Sequence, residues 1–533
     1  MSNAFPLRRT PEALQGHRFD LLVIGGGIYG AWTAYDAALR GLKVALIEKG
    51  DWGSGTSQSS SKLIHGGLRY LEHYEFALVR HALAERRVLS DIAPHLVRPL
   101  NFMVPVWKGA RVGRMQLLAG LTLYDFLATG KQPVPRHKSF SRDALMHMHP
   151  YLMAEGLRGG LRYGDCQEDD ARMTLVVVAA AQAAGAVCVR DLAATSLHRR
   201  DDGRIIGASV RDTRSGLRFD IAAACTINCA GPWARELIAG ALGEAAPKVK
   251  LVKGVHLVMP TIIGLHEAFL FTAPQDGRVF FVIPWYGKTL LGTTESSIAD
   301  IADAQVTAAE AQYLLDAVNT LMPGLGWSEQ DVIARFAGAR TLQAEDADSL
   351  AAQTREFVIT APSPGLLWPI GGKYTTGRCD AVQIVDRAYL ELQSDPRRTQ
   401  NSELRESLTH RYPLPGAPVG TREGSVTLSD FTGWQAEALP SLCNQGVDPE
   451  AAQQLTLRHG TRVAQIHALL DENPAWAKRL SPDAPFIEAE VVLAMRQEDA
   501  HTVEDISRRR MPLQLLAPAS HWRDRVAALM QLA

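Results

Sequence analysis

Residues 19–48 read FDLLVIGGGIYGAWTAYDAALRGLKVALIE, and the way this stretch alternates decides the fold class. An apolar run over 20–24 ends in glycines, residues 31–40 carry a helical pattern closed by Gly41, and 43–48 return as a second apolar strand. Strand, helix and strand within that length make a βαβ unit. Gly25, Gly27 and Gly30 stand inside it in G-x-G-x-x-G spacing. Gly25 permits the tight turn, Gly27 lets backbone approach a pyrophosphate, and Gly30 allows close helix–strand packing. The helix N-terminus adds partial positive charge for the phosphates. Glu48, ending the second strand, is placed to accept from a ribose 2′-hydroxyl. All five parts in register predict a dinucleotide site.

A reductase that draws electrons from NAD would carry a second such unit. The nearest stretch, GLGW at 324–327, lacks a preceding strand and the third glycine. One unit alone favours FAD, with electrons taken from a substrate bound elsewhere on the chain.

The chain has 533 residues, enough for two or three domains. Hydrophobic residues make up 46% and charged residues 21%, which excludes a disordered, collagenous or coiled-coil protein. Fifty-six Lys and Arg face 57 Asp and Glu, so no global basic field points to nucleic acid, and an anionic partner must be met by a local cluster. Cys166, Cys188, Cys225, Cys229, Cys379 and Cys443 form no metal-type spacing and read as core residues of a protein in a reducing cytoplasm. The N-terminus has no apolar leader pattern, and no run is long and apolar enough to span a bilayer.

Beyond Glu48, a Ser/Gly stretch over 53–61 leads straight into Lys62, His65, Gly66, Gly67, Arg69 and Tyr70, a dense polar set. An amphipathic helix is expected over 72–89. The apolar segment 112–128, rimmed by Lys108, Arg111, Arg114 and Lys131, reads equally as a buried helix or as one lying on a membrane surface. Asp165, Glu168, Asp169 and Asp170 resemble a metal cluster but are expected to cap a helix starting near Ala171, with no metal bound. Residues 205–211 and 217–223 form a hairpin, and 225–228 return to the nucleotide domain before Gly231. Strands over 250–260, 279–284 and 289–293 suggest a second, antiparallel sheet, and 308–322 a helix. The strand 365–372 ends in a GGKYTT turn holding Gly372, Lys373 and Thr375.

The fold class expected is therefore α/β, α+β overall: a Rossmann-like nucleotide domain, an antiparallel substrate domain and a helical C-terminal domain. The first two interleave over 18–400, with nucleotide binding mainly in 18–110, 160–250 and 340–390 and the cap mainly in 111–160 and 250–340. After a Pro/Gly-rich linker, 401–533 are helical, most clearly at 454–470 and 489–507.

GGGIYGAW, SSSKLIHGGLRYLEHYEFALV, APHLVRPL, CAGPWA, KGVHLVMP, FFVIPW, LLGTTE and GGKYTTGR, in that order, resemble the FAD-dependent glycerol-3-phosphate dehydrogenases of the D-amino-acid-oxidase-like flavoprotein superfamily. A weaker likeness continues through AMRQEDAHTVEDISRRR at 494–510. The resemblance implies oxidation of sn-glycerol 3-phosphate to dihydroxyacetone phosphate, with electrons passed to a membrane quinone or, in some members, to oxygen. It implies peripheral attachment to the cytoplasmic membrane face and, often, a homodimer. It places Arg69, Tyr70, Arg340, Arg355 and Lys373 around the substrate, His65 and His256 near the flavin, and Ser60, Ser61, Lys62 and Leu63 along the FAD.

The chemistry agrees. A phosphomonoester carries nearly two charges, which planar Arg forks match bidentately. A neutral histidine is the natural base for a secondary alcohol at neutral pH; His256 and His65 are the candidates, His256 slightly preferred. The sequence departs from the family pattern at Tyr29, Trp32, Tyr35, Thr341 and Glu295. Those departures leave open a related phosphorylated or carboxylated alcohol as substrate; the competing readings are a same-fold oxidase of an amine or 2-hydroxy acid and a flavin-binding protein without turnover.

Overall fold

In the computed structural model, which describes residues 5–243, 246–344, 357–395, 405–418 and 428–532, the strand Arg18–Ile24 runs through the middle of a mostly parallel sheet. Val44–Ile47 lies parallel on one side, Leu21 against Val44, and Arg218–Asn228 on the other, Leu21 against Cys225. Val187–Val189 and Leu366–Ile370 extend the parallel order outward. Both faces are covered, so Val44–Ile47 is buried at every position, as a continuous apolar run requires. The helix Ile28–Leu39 packs on one face beside Asp170–Ala183 and Gly377–Gln393. The hairpin expected at 205–223 is present as Ile205–Asp212 against Arg218–Asn228. The second strand continues into the parallel sheet from Ala222 onward.

The second sheet is mainly antiparallel. Val249–Met259 sits between Lys288–Gly292 and Ala334–Gln343, with His256 opposite both Gly292 and Phe336. Val97–Trp107, inside the 18–110 span read as nucleotide-binding, belongs to this second sheet, where it pairs with Leu157–Glu168. Helix Ala308–Leu321 covers one face of it, opened by a reciprocal Thr307–Glu310 cap.

Three expected helices differ. The segment 72–89 is a short 3-10 turn, Leu68–His73, followed by the helix Phe76–Ile92; Tyr74 between them takes a left-handed φ of 59°, which no helix tolerates. The segment 454–470 is split into Pro449–His459 and Val463–Glu472. Gly460 has a φ of 54°, and a Cβ there would lie 1.8 Å from the Gly416 carbonyl oxygen, so the chain bends where another strand of backbone passes. The segment 489–507 breaks after the helix Glu488–Gln497, where Asp499 takes a φ of 53°, and resumes as one wide π-helical turn, Asp505–Arg510.

Three of the four acidic residues have separate duties, and the carboxylate oxygens of the fourth, Glu168, are buried with no hydrogen-bond partner among the described residues. Asp169 caps the helix Asp170–Ala183 by accepting from the Arg172 N–H. Asp170 binds Lys62 and Ser60, and Asp165 binds Arg86 and Tyr124. Cys166, Cys188, Cys225 and Cys379 are buried, and burial pushes the Cys225 thiol up to about 12.

Candidate active site

A cavity of about 620 Å³ opens where the two sheets meet, running from the glycine turn at Gly25 and Gly27 to Arg340 on the second sheet. At its nucleotide end the geometry is backbone against backbone. A Cβ on Gly30 would stand 1.9 Å from the Gly25 carbonyl oxygen, so the helix can approach the strand only with glycine there. Glu48 lines the cavity, but its carboxylate also accepts from the Gly26 N–H at 2.7 Å and the Gly50 N–H at 2.9 Å. Two of its roughly four acceptor positions are thus used in bracing the turn, and capacity remains for a ribose hydroxyl. Burial raises its pKa, opposed by those two backbone donors. Gly231 and Trp233, from the end of Arg218–Asn228 onward, close the opposite wall, with Lys49 Nζ 3.6 Å from the indole centroid.

Of the four residues 60–63, Ser60, Ser61 and Leu63 line the cavity. Lys62 does not: it is buried, and its ammonium bonds Asp170 at 2.6 Å and the Gln58 carbonyl at 2.7 Å. Ser61 Oγ lies 2.9 Å from His256 Nε2. The His256 ring stacks at 4.9 Å on Phe336, and its Nδ1 has no hydrogen-bond partner among the described residues. Burial, then the cations of Lys62 and Arg340, lowers the His256 pKa to about 3, so the ring is neutral at pH 7. His65 lines the same cavity; its N–H donates to Thr375 Oγ1 at 3.2 Å and its ring meets Phe281 edge-on.

The second end of the cavity gathers cations from three remote segments. Arg69, Arg340 and Lys373 all line it. Lys373 Nζ stands 3.5 Å from the Tyr70 ring centroid, and the Arg69 guanidinium 5.2 Å from the same ring. Glu295, one of the departures from the family pattern, lies between the arginines, 3.6 Å from Arg69 and 3.4 Å from Arg340. The sequence marks it only as that departure, because its role depends on which side chains face it. Arg355 lies outside the described residues.

The turn before Lys373 is tied from behind. Tyr29 donates to Asp380 Oδ2 at 2.5 Å and accepts from the Lys373 N–H at 3.0 Å. A Cβ on Gly372 would fall 1.8 Å from the Tyr29 hydroxyl, and its φ of 81° also demands glycine. Tyr29 thus stands as a strut under the turn. Burial raises Asp380 to about 6.

These features meet independent likenesses. Residues 20–378 match the family of FAD dependent oxidoreductases, and residues 407–533 match the C-terminal domain of alpha-glycerophosphate oxidase. A glycerol-3-phosphate dehydrogenase of Synechocystis is 35% identical over 96% of this chain and 91% of its own length. Glycerol-3-phosphate dehydrogenase 2 of Mycobacterium tuberculosis is 36% identical over 95% and 83%. The crystal structure of the glycerol-3-phosphate dehydrogenase from Bacillus halodurans, complexed with FAD, superposes with a TM-score of 0.77 at 27% identity over 98% of this chain and 92% of that one. A glycine cradle sized for a dinucleotide, joined to a cation-lined end and matched along nearly its whole length, places this chain in the FAD-dependent glycerol-3-phosphate dehydrogenase family.

Proposed function

We propose that the protein oxidises sn-glycerol 3-phosphate to dihydroxyacetone phosphate and passes the electrons to a membrane quinone. The observation that carries the substrate is the convergence of Arg69, Arg340 and Lys373 on one end of the cavity that also holds His256. One arginine suffices for the carboxylate of a 2-hydroxy or amino acid, whereas three cations suit a phosphate dianion. Bound FAD would supply the two-electron acceptor for the hydride that leaves C2.

The chain's own groups do the rest. Arg340 and Arg69, bridged by Glu295, grip the phosphate oxygens. His256, neutral at working pH, takes the C2 hydroxyl proton at a ring nitrogen, and the substrate's negative charge raises its proton affinity as it binds. Ser61 and the stacked Phe336 fix the ring plane. Gly25, Gly27, Glu48, Ser60, Gly231, Gly372 and Thr375, which line the cavity, would hold the cofactor along its wall.

Peripheral membrane contact is part of this reading. The helix Arg114–Leu127 buries Leu117, Leu121 and Tyr124, which excludes a helix lying wholly in lipid. Its outer side presents Met115 and Phe126, 76% and 82% exposed, near the half-exposed cation Arg111. No helix among the described residues is long and apolar enough to cross a membrane.

The test is anaerobic mixing of the flavin-loaded protein with sn-glycerol 3-phosphate while the visible flavin band is followed. Rapid bleaching is expected, and Arg340→Ala should lose it with FAD still bound. A band that stays intact in the wild-type protein overturns the substrate assignment.

A further inference from the structure

The sequence run 498–510, EDAHTVEDISRRR, contributes no residue to the cavity lining, yet its three arginines end on the loop that walls the nucleotide site. That loop, residues 50–58, is built against the glycine turn. The Trp52 indole packs so closely that a Cβ on Gly26 would stand 2.4 Å from it. The Gly53 N–H donates to the Gly26 carbonyl at 2.9 Å, and Ser57 Oγ accepts from the Ile28 N–H at 2.9 Å. Ser54, Gly55, Thr56 and Ser57 then face the cavity.

Asp51 is the loop's one buried carboxylate, 3% exposed, and three guanidiniums converge on it. Arg190 reaches Asp51 Oδ1 at 2.8 Å, Arg510 reaches the same oxygen at 3.0 Å, and Arg509 and Arg510 both bond Oδ2. Asp505 in turn accepts from Arg190 at 3.0 Å and from Arg509 at 2.7 Å. Burial raises the Asp51 pKa, but Arg510, Arg190 and Arg509 together hold it below the usual carboxylate range. A second contact lies on the same side. Arg508 donates to the Gln58 carbonyl at 3.4 Å, and its guanidinium lies 5.6 Å from the Phe336 ring centroid, the ring on which His256 stacks.

Buried charges so arranged are stable only while docked, because separating the loop from the run leaves several of them unpaired in the interior. We propose that the π-helical turn Asp505–Arg510 of the C-terminal domain is a clamp for FAD: it holds the 50–58 loop in the conformation that binds the nucleotide. Its residues are positioning residues and do not touch the cofactor. FAD occupancy and clamp closure are then linked, each favouring the other by the same factor. From this turn three successive arginines reach the loop, Arg508 at the Gln58 carbonyl and Arg509 and Arg510 at Asp51.

The inference rests on FAD being the cofactor, and the experiment separates the two. FAD is titrated into apoprotein of the full chain, and bound flavin is read by fluorescence quenching. Wild-type apoprotein that binds no FAD overturns the cofactor reading, and the clamp with it. If the wild type binds, the Arg509→Gln/Arg510→Gln double variant should raise the FAD dissociation constant about tenfold or more, within the usual range of coupling between sites. At saturating FAD its turnover should stay within about twofold of wild type, since no group touching substrate has changed. Arg510→Lys, which keeps the charge and loses the fork, covers the case in which the double variant fails to fold, and should give about a threefold rise. Hydrogen exchange on the wild type needs no substitution: amides of 498–510 should exchange more slowly when FAD is added. A dissociation constant unchanged in whichever variant folds, or exchange over 498–510 indifferent to FAD, overturns the clamp.

Discussion

The two ends of the cavity are built on opposite plans. The nucleotide end is local: Gly25, Gly27, Gly30 and Glu48 lie within 24 residues, and most of its precision is backbone against backbone. The substrate end is remote. Arg69 follows a short strand, His256 and Arg340 come from neighbouring antiparallel strands, and Lys373 stands on a turn leaving the other sheet. Close backbone approach tolerates no side chain, so it writes itself into spacing. A cluster of long charged side chains needs only that their ends meet, which many sequences can satisfy.

The difference predicts that damage at one end removes the cofactor and damage at the other removes turnover alone. The largest effect belongs to Gly30→Val. With its Cβ forced to within 1.9 Å of the Gly25 carbonyl, neither backbone can retreat, and the cost should reach about 3 kcal/mol or more, at the upper end of overpacking penalties. The purified protein should be colourless, checked by its flavin-to-protein absorbance ratio. A yellow Gly30→Val protein would break the comparison.

Next comes His256→Gln, which should lower kcat about 10²–10³-fold, the range for loss of a positioned base, while flavin content stays at the wild-type level. Arg340→Ala should lower kcat/KM about a hundredfold, for a charged contact worth about 2–3 kcal/mol. If either protein came out depleted of FAD, the two ends would be one energetic unit.

A smaller effect is on stability against pH. His256 and His95 are lowered by burial to about 3, and His459 to about 4, from an ordinary value of 6.5. Between those limits the unfolded chain binds protons that the folded one refuses, so stability is full above pH 6.5 and falls as pH drops. Each histidine contributes a slope of up to about 1.4 kcal/mol per pH unit. Urea unfolding at pH 7 and pH 5.5 should show the loss, and His256→Gln should reduce it. A slope the same in both proteins would mean that His256 titrates alike in the folded and unfolded chain.

The smallest effect on activity is expected from Arg111→Glu/Arg114→Glu, which sits outside both ends. Turnover of the soluble substrate should change less than about twofold, whereas co-sedimentation with anionic liposomes should be lost. Unchanged sedimentation would sever this helix from membrane attachment.

Much of the architecture was legible because its physical causes are short-range. The βαβ unit, the hairpin at 205–223, the antiparallel strand around His256 and the helix after Thr307 each follow from periodicity, turn residues and caps. What misled was context. The segments 454–470 and 489–507 carry unbroken helical patterns, but the bends come from the passing Gly416 backbone and from the left-handed Asp499. Lys62 sits in the most specific stretch of the chain, yet turns inward to Asp170, 108 residues away. Glu295 stands out in sequence only as a departure from the family pattern, and its place between two arginines shows only when strands Lys288–Gly292 and Ala334–Gln343 flank Val249–Met259.

The sequence by itself determined the nucleotide cradle, the alternation of the two sheets and the residue types the chemistry needs, since each is set by steric demands within a few residues. Only the tertiary structure decided which cations share one pocket, which histidine is buried and neutral, and that the arginines at 508–510 reach the loop after Glu48. Those depend on contacts hundreds of residues apart, and on a low-dielectric interior that no local pattern encodes.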